Sequence, residues 1–342
     1  MCFMSTTIVQ IAKSLGVSPI TVSRALNNRG YYIKKETKEK ILKKAAELNY
    51  RPNHIARSLR IRSTHAIGLI LPDIKNPFFP NVASSINKIA NSREYNVILC
   101  SSEGGINKEK SEVSTLLNRR VDGLIIIPSD CNNGSDTYKQ LKETNIPFVL
   151  MDRYWRNINC SYVVCNDIYG AYLATSYLIK LGHKRIAHFS GSMIVTSAEN
   201  RLKGYKKALE EYEIPYSEEL VIETDVTQES GTRAMEIILE QKENPTAIFA
   251  WNDTVAIGAM QAIKSKGLKI PEDISLVGFD DIDVSSLLYV PLTTIHQPQD
   301  ELGETSAKIL FEQIENKENP QIKQILLEPE LVVRNSCKEV TQ

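Results

Sequence analysis

From Ala66 onward the chain alternates short, nearly continuous apolar runs with stretches of helical periodicity, and that alternation leaves few folds open. AIGLIL (66–71), NVILCS (96–101), GLIIIP (123–128) and PFVLM (147–151) are apolar at almost every position, which is how strands covered on both faces of a parallel sheet read. Between the first two, Val82, Ile86 and Ile89 recur at helical spacing, so the order is strand, helix, strand. A second series, RIAHFSG (185–191), AIFAWND (247–253) and SLVGFDD (275–281), repeats the pattern. The expected body is α/β, with two similar subdomains that each contain a doubly wound parallel sheet. Such sheets bind ligands beyond the carboxyl ends of their strands, and two of them facing each other imply a ligand cleft.

The first 65 residues read differently. They hold 13 of the 41 lysines and arginines but only three of the 41 acids, so a net charge of zero conceals +10 at the amino end and −10 over the remainder. A basic segment joined to an acidic body points to a module that binds a polyanion. In TTIVQIAKSLG the apolar residues Ile8, Ile11, Ala12 and Leu15 fall on one helical face, with Thr7 placed to cap the first turn and Gly16 to end the helix. Ser18 can cap a second helix that begins with Pro19, where a missing N–H costs nothing, and Val22, Ala25 and Leu26 form its buried seam. Ile41, Ala45 and Leu48 mark a third helix within KKETKEKILKKAAELNY, whose outer face is crowded with lysine.

Two helices joined by a short glycine-containing turn make a helix-turn-helix, whose second helix enters the DNA major groove. Pro19, Ile20, Thr21, Ser23, Arg24 and Asn27 suit that task, because Arg reads guanine edges bidentately and small side chains permit close approach to bases. Thr7 and Ser18, at the two helix starts, are counted with them. Lys34, Lys35, Lys38 and Arg29 are expected to meet phosphates. In RPNHIARSLRIRST (51–64), Asn53 can cap a helix containing Ile55, Ala56 and Leu59, but a helix of one or two turns is unstable in water without a partner.

Other classes find little support. The chain is 42% hydrophobic and 24% charged, as soluble globular proteins are, and no apolar run approaches the roughly eighteen residues of a membrane span. Its start, MCFMSTTIVQIAKS, has neither a basic n-region nor a long apolar h-region, so a cytoplasmic location is expected. The six cysteines show no C-x-x-C spacing, which argues against disulfides and zinc. The sequence contains no G-x-G-x-x-G after a strand, no G-x-x-x-x-G-K-[ST], no H-E-x-x-H and no G-x-S-x-G, so no cofactor, metal site or catalysis is expected. His183 and His188 read as structural.

TIVQIAKSLGVSPITVSRALN, followed by NYRPNHIARSL, resembles the amino terminus of the lac repressor/galactose repressor (LacI/GalR) family of bacterial transcription regulators. The likeness continues through GLILPDIKNPFF, VDGLIIIP, LGHKRIAHFSG, RLKGYKKAL, AIFAWNDTVAIGAM, SLVGFDDI and PLTTIHQP, nearly to the end of the chain. One departure is NNRGYYIKKET, a residue longer between the second and third helices than in lac repressor. The resemblance implies a helix-turn-helix head over 1–52, a hinge helix and linker over 53–65, and a body over 66–335 like that of periplasmic binding proteins. Within the body it implies one subdomain of about 66–165 plus 298–325 and another of about 166–297 plus 326–335.

The hinge helix of the family orders on operator DNA, pairs with its dimer mate in the minor groove and wedges a leucine between base steps. The matching residues are Asn53, Ala56, Arg57, Leu59 and Arg60, with Leu59 as the wedge; unstacking is offset by the contacts that bending allows. For the effector site the resemblance implies Asp152, Arg201, Asn252, Asp280 and Gln297, with NPFF as one wall. These side chains mix acceptors and fork-shaped donors, which suits sugar hydroxyls, while Phe78 and Phe79 offer apolar or stacking surface. Arg153 could pair with the carboxylate of a sugar acid or stay solvated. Val195 stands where purine-binding members have arginine, Val226 where lac and purine repressors have an aromatic, and Cys165 where many relatives have Asp. Neither lactose nor a purine is favoured.

The expected protein is a repressor of carbohydrate-utilisation genes whose grip on double-stranded operator DNA is set by a sugar-like effector. A homodimer is expected to read a palindromic operator, with no heptad tail after Arg334 to make a tetramer. Two alternatives stand beside it: a catabolite-control regulator with a phosphoprotein corepressor, and a solute receptor, which would lack the basic head.

Overall fold

A computed structural model describes residues 7–27, 33–50, 63–316, 318 and 320–340. Residues 1–64 and 65–342 form two separate units.

In the first unit, α1 (Ile8–Leu15), α2 (Pro19–Asn27) and α3 (Lys35–Glu47) pack against one another. Thr7 and Gln10 form a reciprocal capping box at the start of α1, and Gly16 ends that helix in the left-handed conformation at φ 63°, a geometry that costs glycine nothing. Ser18 Oγ accepts from the Thr21 amide at 3.1 Å and so starts α2. The core is small: Ile11, Ala12, Val22, Ala25, Ile41 and Ala45 are buried, and Leu15, Leu26 and Leu48 are half-buried around them. Leu26 and Leu48 thus rim the seam that the periodicity assigned to them.

The second unit contains two six-stranded sheets. The first has the order β11-β5-β4-β3-β1-β2, from β1 (Ala66–Leu71), β2 (Asn96–Ser101), β3 (Gly123–Ile126), β4 (Phe148–Met151), β5 (Tyr162–Cys165) and β11 (Gln324–Leu327), and all its pairings are parallel. Its connections are α4 (Phe78–Ser92), α5 (Ile106–Asn118) and α6 (Ser135–Glu143). The second sheet has the order β12-β10-β9-β8-β6-β7, from β6 (Ile186–Ser190), β7 (Val221–Glu223), β8 (Ala247–Ala250), β9 (Ser275–Asp280), β10 (Thr293–His296) and β12 (Glu330–Val332). Only β12 runs antiparallel to its neighbour. The helices α7 (Asp167–Lys180), α8 (Thr196–Glu211), α9 (Gln228–Leu239) and α10 (Asp253–Ser265) belong with this sheet, whereas α11 (Gln299–Glu315) returns to pack on α4 and the first sheet. The chain therefore passes between the two lobes three times, after β5, after β10 and after β11.

Alternate strand residues supply two cores per lobe, as period-two side-chain direction requires. In β1, Ile67, Leu69 and Leu71 join one cluster and Ile70 the opposite one; in β8, Ile248 and Ala250 divide from Ala247 and Phe249 in the same way. NVILCS departs from expectation. β2 is a sheet edge, its residues are half-buried or exposed, and Leu99 is 40% exposed. Its apolar composition could not distinguish an edge strand from a central one, since position in the sheet is set by pairing.

Candidate DNA-reading helix and ligand cleft

On α2 the seam residues Val22 and Ala25 face the core, so Ile20 and Arg24 are turned to solvent, Ile20 being 63% exposed. Thr7, Ser18 and Pro19 are exposed, and Thr21 and Ser23 are half-buried. The two caps are already engaged: Thr7 Oγ1 accepts from the Gln10 amide at 3.3 Å, and Ser18 and Thr21 share a hydroxyl contact at 2.8 Å. Asn27 closes α2, but its side chain lies outside the described residues, as do Asn53, Ala56, Arg57, Leu59 and Arg60. No acid occurs in the first turn of α2, leaving its positive helix end uncompensated for an approaching anion.

In the body, charged side chains converge where strands of both lobes end. Asp152 and Arg153 follow β4, Trp251 and Asn252 follow β8, Asp280 ends β9, Gln297 follows β10, Asp167 opens α7 and Arg201 lies in α8. All are less than a tenth exposed. Two of the strand ends have left-handed backbone: Asp152 at φ 63° and Asp280 at φ 113°. Such backbone is costly for a residue with a Cβ and persists where surrounding contacts over-determine it.

Arg201 is the hub. Its Nε donates to Asp167 Oδ1 at 2.8 Å, Nη1 donates to the Trp251 carbonyl at 2.5 Å, and Asp280 Oδ1 lies 3.6 Å from Nη1. The guanidinium carbon stands 3.7 Å from the centroid of the Phe279 ring, a cation–π contact strengthened by burial. Asp280 Oδ1 also accepts from Gln297 Nε2 at 2.7 Å, while Gln299 Nε2 donates to the Asp280 carbonyl at 3.0 Å and ties α11 to β9. In the first lobe, Arg153 Nε lies 3.3 Å from Asp152 Oδ2, and Nη1 donates to the Pro128 carbonyl at 3.3 Å. Arg153 is therefore a buried side chain, not a solvated one. Arg153 Nε and Gln297 Oε1 have no hydrogen-bond partner among the described residues.

Three aspartates face two arginines here, and burial dominates their protonation. It pushes Asp280 well above the ordinary carboxylate range, raises Asp152, and lifts Asp167 to about 7 despite the adjacent Arg201. A buried carboxylate with insufficient countercharge favours its neutral form. Behind the site Asp253 accepts from the Ile282 amide at 3.0 Å, Ser285 Oγ at 2.7 Å and Thr294 Oγ1 at 2.5 Å, and burial lifts it to about 6.

Other expected residues have local duties. Asn252 Oδ1 caps α10 by accepting from the Val255 amide at 2.8 Å. Phe78 and Phe79 are 2% exposed, meet edge to face at 5.3 Å and pack in a cluster with Ile257 and Ile282 of the second lobe, so they form a buried interlobe wall and not an open stacking platform. His188 is buried between the rings of Tyr205 and Phe249, with Nδ1 3.0 Å from the Phe249 carbonyl. Asp167, Trp251 and Phe279 were not foreseen. In the structure Asn166 caps α7 and Asp167 is its first-turn acid, while Trp251 and Phe279 fall within the apolar runs AIFAWND and SLVGFDD, so no signal in the sequence set the three apart.

A recess of about 150 Å³ in the first lobe is lined by Leu141, Phe148, Cys160 and Gln313 among others. It adjoins the amino ends of β4 and β5, away from the strand ends that carry the charged cluster. Among the described residues no group of three acids, histidines or cysteines is arranged to hold a metal, and no helix is long and apolar enough to cross a membrane.

Residues 7–53 match the model of the lacI family of bacterial regulatory proteins, and residues 175–337 match the periplasmic binding protein-like domain. The ribose operon repressor of Haemophilus influenzae is 36% identical over 330 residues, covering 96% of this chain and 98% of the relative. The chain belongs to the LacI family. It is a DNA-binding, ligand-responsive transcriptional repressor. Also similar to this LacI-family chain is the transcriptional repressor PurR of Haemophilus influenzae, 37% identical over 336 residues, 98% of this chain and 99% of the relative. Among solved structures, the lac repressor dimer bound to operator and the anti-inducer ONPF superposes with a TM-score of 0.88 at 30% identity, over 98% of this chain and 99% of that one. A LacI-family regulator from Enterococcus faecium with bound ribose superposes with a TM-score of 0.74 at 32% identity, over 81% of this chain and all of that one.

Proposed function

We propose that this LacI-family repressor senses a pentose of the ribose type in the interlobe cleft. The observation that carries the reading is the buried set Asp152, Arg153, Arg201, Asn252, Asp280 and Gln297, in which Gln297 Oε1 and Arg153 Nε make no hydrogen bond among the described residues, the latter being held only by its ion pair with Asp152 at 3.3 Å. Hydroxyls that donate and accept at once suit such a set, and buried polar atoms gain most from being satisfied. A neutral polyol also fits a site whose acids already outnumber its cations. Two relatives support the choice, one named ribose operon repressor and one solved with ribose. A purine is disfavoured because Val195 packs in the core with Phe189 and Trp251 and offers no polar group.

Ile20 and Arg24 of α2, supported by Pro19, Thr21, Ser23 and Asn27, read the operator, while Asn53, Ala56, Arg57, Leu59 and Arg60 form the hinge segment that bends it. The protein acts as a homodimer in the cytoplasm, uses no cofactor and catalyses no reaction. Calorimetric titration of the full-length protein with D-ribose, D-galactose and hypoxanthine tests the reading. Saturable binding of ribose alone, with a change in operator affinity, is expected; binding of hypoxanthine in its place overturns the pentose assignment.

A further inference from the structure

The three chain crossings leave β5, β10 and β11, so covalent connection holds the lobes together on that side only. Beyond β3, β4 and β6 the lobes meet through Arg156. From the first lobe, its Nε donates to Glu199 Oε2 of the second at 3.1 Å, and Nη2 reaches the same oxygen. Nη2 also donates to the Met193 carbonyl at 3.2 Å and Nη1 to the Ile194 carbonyl at 3.3 Å, while Asn132 Oδ1 accepts from Nη1 at 2.7 Å and steadies the fork within its own lobe. Backbone contacts complete the join: the Cys131 amide donates to the Ile194 carbonyl at 3.0 Å, the Tyr154 amide to Thr196 Oγ1 at 3.3 Å, and the Thr196 amide to Cys131 Sγ at 3.4 Å.

The join is coupled to the site by chain connectivity. Arg156 lies three residues after Arg153, and Glu199 lies two residues before Arg201 on the first turns of α8. Separating the lobes on this side breaks each of the contacts that cross between them, leaving only the one with Asn132, together with the alignment of the two arginines. A planar fork with fixed donors can span two carbonyls and a carboxylate at once, which a lysine cannot.

We propose that Arg156 is a positioning residue, the clasp that keeps the cleft shut over its effector. It touches no expected ligand position and acts by slowing reopening, so it governs the rate of release more than the rate of encounter. The inference rests on the cleft being the effector site.

The test uses the full-length protein with Arg156→Ala, Glu199→Arg, and the exchanged pair Arg156→Glu/Glu199→Arg. In ligand-free protein, amide hydrogen exchange at Cys131 and Thr196 is expected to quicken about tenfold in Arg156→Ala, while the amides of Leu69 and Phe249 in central strands keep wild-type rates and show the fold intact. With D-ribose as probe, the dissociation rate is expected to rise about tenfold at an unchanged association rate, and the exchanged pair is expected to recover part of the loss seen in Glu199→Arg. Unchanged exchange at Cys131 and Thr196, a loss confined to the association rate, or an exchanged pair no better than the single variant would overturn the clasp. Failure of the wild type to bind ribose overturns the pentose assignment, and the exchange measurements then decide the clasp alone.

Discussion

The residues proposed to read DNA lie on the solvent side of a single nine-residue helix, where Ile20 and Arg24 are exposed and only Val22 and Ala25 are fixed in a core. Those proposed to bind the effector come from separate strand ends and one helix between Asp152 and Gln297, and every one is buried. The difference follows from the partner. A polyanion brings its own charge and surface, so the head can present cations to water at little cost, whereas a small ligand must be wrapped, and the groups that wrap it have to be compensated among themselves. Stability and recognition are therefore separable in the head and entangled in the cleft.

The sharpest way to break that contrast is to remove one cation from each. Arg201→Ala leaves Asp167 and Asp280 without their shared guanidinium, and loss of one partner from a buried charge cluster costs about 3–5 kcal/mol. Urea unfolding of the full-length protein is expected to show that loss, along with abolished sugar binding. Arg24→Ala is expected to leave the urea midpoint of the body unchanged and to weaken operator binding by about 1–3 kcal/mol, read by fluorescence anisotropy at fixed salt. A body destabilised by Arg24→Ala, or an Arg201→Ala protein as stable as wild type, would erase the distinction.

The pH dependence sharpens it further. Asp167 has a folded-state pKa lifted from 3.8 to about 7 by burial, so between those values the folded protein holds a proton that the unfolded chain has released. Stability from that proton is full below about pH 4 and is lost as pH rises through 7. The melting temperature of the ligand-free protein is expected to fall by a few degrees, on the order expected for 1 kcal/mol or more, between pH 5 and pH 8. Asp253, lifted to about 6, and Asp280, also raised by burial, add to the same slope, so Asp167→Asn should reduce it without abolishing it, and an equally steep slope in that variant assigns it elsewhere. In the head the smallest effect is local: Thr7→Ala removes the capping box of α1 and is expected to cost about 1 kcal/mol, seen as an earlier helical transition in circular dichroism, with sugar affinity unaltered.

How far each site was legible tracks the same contrast. The helical head could be read almost residue by residue because its signals are local: Thr7 and Gly16 bracket α1, Ser18 and Pro19 start α2, and each lies within four residues of what it controls. In the body the strand runs located the sheets, but NVILCS could not reveal its edge position. The charged residues Asp152 and Asp280 were legible by their chemistry at strand ends, whereas Arg201, grouped with them from sequence, reaches the site from within α8. Asp167 was hidden because a first-turn acid of a helix has a sufficient local explanation, and Arg156 was hidden because its partner Glu199 is 43 positions away with no periodicity linking them.

What the sequence determined by itself was everything governed by near neighbours: the helices and their caps, the apolar strands, the division of charge between a basic head and an acidic remainder, and with them the family. The tertiary structure decided which polar groups share one buried volume. Arg201 is held by a carboxylate, a carbonyl and an aromatic ring that come from three different segments, and only chain folding brings them within range. The physical reason is the steep distance dependence of hydrogen bonds and desolvated charge. Those energies are absent at the separations the sequence records and become large at the 3 Å separations that only packing creates.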